Sequence, residues 1–139
     1  MKKVFRVGVY GIVQKENDLL VITQERGPYA GWYDLPGGGI EFGESPESAL
    51  KREFMEEVGM EFKSSSLLAN FSHMQDVPSI NDKPSFTFHQ LGLIYKVTHI
   101  KQNTNGCLTH TWVDIDSLKN QKKSPFLERI LYDNLLILS

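Results

Sequence analysis

Three glutamates crowd one stretch of the chain: in "KREFMEEVG", Glu53, Glu56 and Glu57 recur at spacings of three and four residues. At about 100° per residue they share an arc of about 100° on a helix, beside an apolar stripe of Leu50, Phe54 and Val58. Carboxylates at that spacing repel one another, and the last helical turn carries partial negative charge that opposes them further. A cation removes both penalties. Hard oxygen donors beside the glycines 37–39 suit Mg²⁺ or Mn²⁺, the alternative being a solvated acidic face. Ala49 shares the arc one turn earlier, and its small side chain is expected to leave room at the site.

The elements that must position this cluster follow from local signals. Ser45-Pro46 starts the helix as N-cap and first helical residue, and Gly59 stops it. Residues 4–13 and 17–26 are β-branched and read as two strands joined in a hairpin. Residues 27–39 form a Gly- and Pro-punctuated loop. Strands follow at 67–77 and 84–97 with a turn at "NDKP", then a short strand at 110–115. A second helix spans 124–138, capped by Ser124 and opened by Pro125. The result is one α+β or α/β domain with a mixed sheet between helices.

With 139 residues, 40% of them hydrophobic, and a net charge of −2, the chain suits one domain with its own core and no polyanion groove. "KNQKK" at 119–123 reads as a solvated loop, and the single Cys107 as a small, buried or inert residue outside any disulfide. The four histidines lack paired ligand spacing and read as strand or loop residues. Arg6 interrupts the apolar N-terminal run, no small-residue cleavage site follows it, and no stretch approaches a membrane span. A cytoplasmic protein is expected.

From Gly38, five residues lead to Glu44, seven more to Arg52-Glu53, and then Phe54, Met55, Glu56-Glu57, Val58, Gly59 and Met60. This resembles the signature of the Nudix hydrolases, G-x5-E-x7-R-E-U-x-E-E-x-G-U with U a bulky apolar residue, and all seven fixed positions match. "GWYDLPGG" and Trp112 near a late strand are similar to the family as well. The resemblance implies a single domain over residues 1–139, an α/β/α sandwich with a mixed central sheet and a loop–helix–loop metal site. It implies that Glu53, Glu56 and Glu57 form the catalytic centre and ligate Mg²⁺ or Mn²⁺ with a backbone carbonyl near Gly37 or Gly38. Glu44 and Arg52 would pair and hold the loop on the helix. The reaction implied is hydrolysis of a diphosphate linkage by water attack on phosphorus, with Glu53 or Glu56 accepting the proton.

Residues 96–113 contain no Asp or Glu, leaving His110, Asn105 or water in place of the further carboxylate that many members supply. Val77 and Asp76 stand near the places where subclass-marking Tyr or Pro residues occur, so the chain looks most like the MutT-type group that cleaves nucleoside triphosphates. Tyr29, Trp32, Tyr33 and Phe86 could stack on a base and Arg26 could reach a phosphate, core packing being the alternative for each aromatic. The partner expected is a small nucleotide, with neither nucleic-acid polymer nor membrane, for a monomer or homodimer. Two other readings stand beside this one: a catalytically silent nucleotide sensor, and a prenyl-diphosphate isomerase relying on a cysteine near the box.

Overall fold

The computed structural model describes residues 2–27 and 29–136. The apolar N-terminal run forms β1 (Lys2–Ile12), and a turn at residues 16–17 folds β2 (Gln14–Lys15) back on β3 (Asp18–Thr23). β4 (Tyr33–Asp34) and β5 (Gly37–Gly39) lead into α1 (Pro46–Val58). The long β6 (Met60–Val77) and β7 (Phe86–Gln102) follow, then β8 (His110–Asp114), α2 (Ile115–Leu118) and α3 (Pro125–Tyr132). One sheet has the order β5-β1-β7-β6, in which only β1 and β7 run parallel. The other is β2-β3-β4, with β8 also pairing β3.

Alternation along the strands sends successive side chains to two separate cores. Val9, Leu20, Ile22 and Tyr95 pack with Leu50, Phe54 and Val58 of α1. Tyr10, Leu19, Val21 and Ile94 pack on the opposite side with Ile115 and Leu118 of α2 and Phe126, Leu127 and Ile130 of α3. This mixed sheet with helices on both sides is the expected α/β/α arrangement.

Several local expectations change. The 4–13 and 17–26 strands meet only at their ends, where the Leu20 N–H donates to the Val13 carbonyl at 3.0 Å beside the β2–β3 turn at Glu16, with φ 56°. All of β1, from Lys2 opposite Phe86 to Ile12 opposite Lys96, is held by β7, a partner far along the chain. β6 begins at Met60, directly after Gly59, because β7 pairs with it through the polar Ser64–Ser66 stretch. The last helix ends at Tyr132, where Asn134 turns left-handed (φ 55°) and stops it; residues 137–138 of that expected helix lie outside the described residues. Lys123 is buried, donating to the carbonyls of Lys119 and Gln121 and pairing with Glu128 at 3.3 Å, so its charge serves the turn before α3. Among the described residues no helix is long and apolar enough to cross a membrane.

Candidate active site

α1 is fixed at both ends by its own sequence. The Ser45 hydroxyl accepts the Ser48 N–H at 3.1 Å, Pro46 opens the first turn, and Gly59 closes the last with φ 68°. Leu50, Phe54 and Val58 are fully buried, which leaves the neighbouring arc of glutamates facing β5. Ala49 is also fully buried in the core beneath α1, so its small size serves packing and opens no space at the site.

Arg52 organises the acidic side. Its Nε donates to Glu44 Oε2 at 2.8 Å and its Nη2 to Glu44 Oε1 at 2.9 Å, a fork-to-fork contact. Nη2 also reaches the Gly39 carbonyl at 3.1 Å, while Nη1 reaches Glu53 Oε1 at 2.8 Å and Glu56 Oε2 at 3.4 Å. One guanidinium thereby ties the loop before α1 to the helix and to β5. The hydrogen bonds from Arg52 hold the Glu44 carboxyl down to about 2.

Glu53 and Glu57 face β5, where Gly37 and Gly38 are sterically required. A Cβ on Gly38 would lie 2.7–2.8 Å from the Glu53 carboxylate, and one on Gly37 (φ 148°) would strike the Val9 carbonyl at 2.1 Å. The Gly37 N–H donates to Glu57 Oε1 at 2.8 Å. Burial pushes the Glu57 carboxyl up to about 8, against that hydrogen bond and with the charges of Glu53, Asp34 and Glu56 adding to the rise. Burial raises Glu53 as well, opposed by Arg52.

The expected gathering of the three carboxylates is incomplete. Among the described residues no three His, Cys, Asp or Glu side chains stand close enough together to hold a metal ion as placed. The cause is visible in their partners: Glu57 turns to the Gly37 N–H, while Glu53 and Glu56 turn to Arg52. His110 does not complete such a group either, and opens β8 opposite Ile22.

The unfavourable helix end has its own remedy. Backbone N–H groups of Cys107 and Leu108 donate to the carbonyls of Glu56 and Glu57 at 2.8 and 3.0 Å, and Gln102 Nε2 donates to the Val58 carbonyl at 2.6 Å. These donors satisfy the terminal carbonyls and reduce the negative end of the dipole beneath the carboxylates. Cys107 is exposed on this capping loop, so the buried alternative expected for it is not met.

Beside the box lies a cavity of ≈ 380 Å³ between the β5-β1-β7-β6 sheet, the loop after β3 and the start of α3. Arg26, Tyr29 and Phe86, three of the five expected substrate contacts, line it; Trp32 does not, and packs on the Tyr29 ring at 5.0 Å between centroids. Tyr33 does not line it either; it packs against the core beneath α3. The Tyr29 hydroxyl donates to Gln75 Oε1 at 2.6 Å, closing the loop over the sheet. Asp34 forms the polar floor: buried, it accepts from Gln24 and Ser124 at 2.6 Å and from the Leu35 N–H at 2.7 Å. Burial raises its carboxyl despite those donors. Tyr10 joins floor to box: Gln90 donates to its oxygen at 2.5 Å, its strand position faces Gly37, and burial foremost, then the charges of Asp34, Glu57 and Glu53, raise its phenol.

The description of the NUDIX domain matches residues 2–134 of this chain. The chain belongs to the Nudix family. It is similar to the ADP-ribose pyrophosphatase of Methanocaldococcus jannaschii, 44% identical over 66 residues, which are 48% of this chain and 39% of that protein. It is also similar to the 8-oxo-dGTP diphosphatase of Haemophilus influenzae, 38% identical over 72 residues, 50% of this chain and 52% of that protein. The matched chain thus spans about half or less of those curated relatives' lengths. A solved MutT NUDIX hydrolase from Burkholderia pseudomallei shares the fold at TM-score 0.70 and 22% identity, covering 96% of this chain and 99% of that one.

Within this Nudix domain, the sequence reading missed Asp34, Gln24, Gln75, Gln90, His73 and Ser124 around the cavity. They come from five separate segments, and no spacing along the chain links them. The one available signal was the polar Asp34 inside the otherwise apolar "WYDLPG" run.

Proposed function

We propose that this Nudix domain is a divalent-metal-dependent pyrophosphohydrolase that cleaves a diphosphate linkage in a nucleoside triphosphate or related nucleotide by water attack on phosphorus. The observation that carries the reading is the junction of box and cavity: Glu57 is held by the Gly37 N–H, and Gly37 lies opposite Tyr10, which lines the aromatic cavity. A nucleotide seated there would direct its phosphates at the carboxylates. The names of the relatives, all of diphosphate-cleaving enzymes, agree with this chemistry.

The donor set fits Mg²⁺ or Mn²⁺. Glu53, Glu56 and Glu57 offer hard oxygens, Gly38 leaves the Glu53 carboxylate uncovered, and the strongly raised Glu57 marks a place short of positive charge. These three glutamates would hold the ion, with Gly37 or Gly38 beside it, and the ion when bound would neutralise phosphate charge and acidify water. Arg52 holds Glu44, the Gly39 carbonyl and Glu53 in one frame, positioning loop and helix relative to each other. Glu53 or Glu56 would take the proton from the attacking water, both held beside each other by Arg52 Nη1. Tyr29 and Phe86 would sandwich the base while the Arg26 guanidinium balances phosphate charge.

The deciding experiment is a panel of nucleoside triphosphates, nucleotide sugars, ADP-ribose and dinucleoside polyphosphates with Mg²⁺ and Mn²⁺, reading released phosphate and pyrophosphate. Metal-dependent release from at least one nucleotide, lost in Glu57→Gln, is expected. Binding of nucleotide without turnover of any member would overturn the enzyme reading.

A further inference from the structure

We propose that the sheet face beyond the cavity is a subsite for a phosphate carried on the ribose side of the bound nucleotide, away from the diphosphate being cleaved. This rests on the nucleotide reading above for the direction of the substrate. Strand register lays the face out in rows across β1, β7 and β6: Gly8–Gly92–Phe71, then Arg6–Gln90–His73, Val4–Phe88–Gln75 and Lys2–Phe86–Val77. The α3 layer reaches the first row, where the Phe126 ring takes the space of the missing Gly92 Cβ, 2.8 Å from its position. The outer rows run on past it.

A second hollow of ≈ 350 Å³ occupies these outer rows, lined by Lys2, Val4, Arg6 and Lys83, and it shares Phe86 and Phe88 with the cavity. Arg6, Lys2 and Lys83 are exposed, and among the described residues none of them has a carboxylate within ion-pair distance. The nearby Asp76 points to the opposite face of β6, where the Thr87 hydroxyl donates to it at 2.9 Å. Glu41 shares a hollow with Arg6 on the β5 side but lies at 3.9 Å from Arg52 instead. Three cations without an ion-pair partner among the described residues, around two phenyl rings 6.3 Å apart, form a place for an anion attached to an apolar or aromatic group.

Direction and length select the anion. Tyr10 lies at the box end, opposite Gly37, and Arg6 is four residues away along β1, about 13 Å at strand rise. A nucleoside in the cavity with its diphosphate at the box places its 2′- or 3′-oxygen toward Arg6, within reach of that long side chain. A dinucleoside polyphosphate would instead send its second nucleoside out at the box end, since it is joined through the phosphates. The shared chemistry is therefore a ribose phosphate, either terminal or the first linkage of an oligonucleotide.

Calorimetric titration in Mg²⁺ buffer distinguishes these cases. The probes are AMP and GMP, their 3′,5′-bisphosphates, and the 5′-phosphorylated dinucleotides pApA and pGpA. At least one bisphosphate is expected to bind about tenfold more tightly than its monophosphate, the scale of one charge-assisted contact. That advantage should shrink with salt and vanish in Arg6→Ala/Lys83→Ala, while monophosphate affinity and melting temperature hold. A further gain for a dinucleotide assigns the phosphate to an oligonucleotide linkage; equal binding of dinucleotide and bisphosphate assigns a terminal phosphate. Equal affinity of monophosphate and bisphosphate, or an advantage that survives the double substitution, overturns the subsite. Since binding needs no turnover, failure of hydrolysis would sink the enzyme reading and leave this result standing.

Discussion

Arg52 and Arg6 are the same residue type, both beside the Gly39–Glu41 stretch, and they are engaged very differently. Arg52 spends its guanidinium on Glu44, Glu53, Glu56 and the Gly39 carbonyl. Arg6 stands exposed, with no carboxylate at ion-pair distance among the described residues. A saturated cation orders the protein around it, whereas an unsaturated one on a concave face is available to a ligand. The box is accordingly a prearranged frame, and the cavity with its outer rows is the part that remains to be filled.

The largest effect should come from within the frame. Glu53→Gln and Glu57→Gln preserve shape and remove one charge, and each is expected to lower kcat by about 10²–10⁴-fold. Raising Mg²⁺ should recover part of the Glu57→Gln deficit, because a weakened ligand can be offset by mass action. It should not recover Glu53→Gln if Glu53 takes the proton. Steady-state kinetics across a metal titration separates the two, and near-normal turnover in both variants at limiting metal would show that the frame is not the reacting centre.

Arg52→Ala breaks the comparison from its other side. Loss of the fork to Glu44 frees the loop and leaves Glu53 and Glu56 without their shared cation, so activity should fall by about 10²-fold through misplacement. The melting temperature should fall as well, whereas Arg6→Ala should leave it unchanged. A wild-type melting curve for Arg52→Ala with only a raised KM would mark Arg52 as a substrate contact.

How much of this was legible beforehand follows the same division. α1, its Ser45 and Gly59 caps, its buried stripe and the Glu44–Arg52 pair are recorded in spacings of eight residues or fewer, which a helix turns directly into geometry. The strands were visible but their partners were not. A β-branched run announces a strand, yet nothing local to residues 4–13 says that Val4 will lie beside Phe88 rather than against the next strand. The cavity floor was the least legible part, since Asp34, Ser124 and Gln90 meet only after both sheets and α3 have packed.

The raised Glu57 makes the metal-free frame sensitive to pH. Its folded pKa of about 8 stands above the ordinary 4.5, so its stabilising contribution is fully present below about 4.5 and is lost as pH rises through about 8. Melts without metal should therefore show stability declining between about pH 5 and 8, by roughly 1–3 kcal/mol after discounting for partial solvent access. Glu44 does not counter this, because its lowered carboxyl titrates near 2, below that window. Mg²⁺ should flatten the decline by stabilising the ionised form, and Glu57→Gln should reduce it, leaving the part that the raised Asp34 and Glu53 carboxyls contribute. A metal-free stability that rises across the same window would contradict the burial of Glu57.

The smallest expected effect tests whether the cavity floor is where substrate rests. A Cβ on Gly8 would stand 2.7 Å from the Tyr10 hydroxyl and 2.9–3.0 Å from its ring, so Gly8→Ala must displace that ring. Tyr10 is tied to Gln90 on one side and packs on Phe126 at 5.3 Å on the other, so the shift spreads into the floor instead of relaxing outward. Overpacking of this kind costs about 1–3 kcal/mol. Gly8 meets the box only through its backbone pairing with Gly39, which a methyl on the opposite Tyr10 side leaves in place, so the proton-transfer geometry should survive. The expected signature is a KM raised a few-fold with kcat nearly constant, because a contact made equally in ground and transition states is weakened. Gly92→Ala, which displaces Phe126 instead, should give the same signature from the opposite wall. If both variants keep a wild-type KM while calorimetry confirms their lost stability, substrate does not rest on this floor, and box and cavity are neighbours without a common ligand.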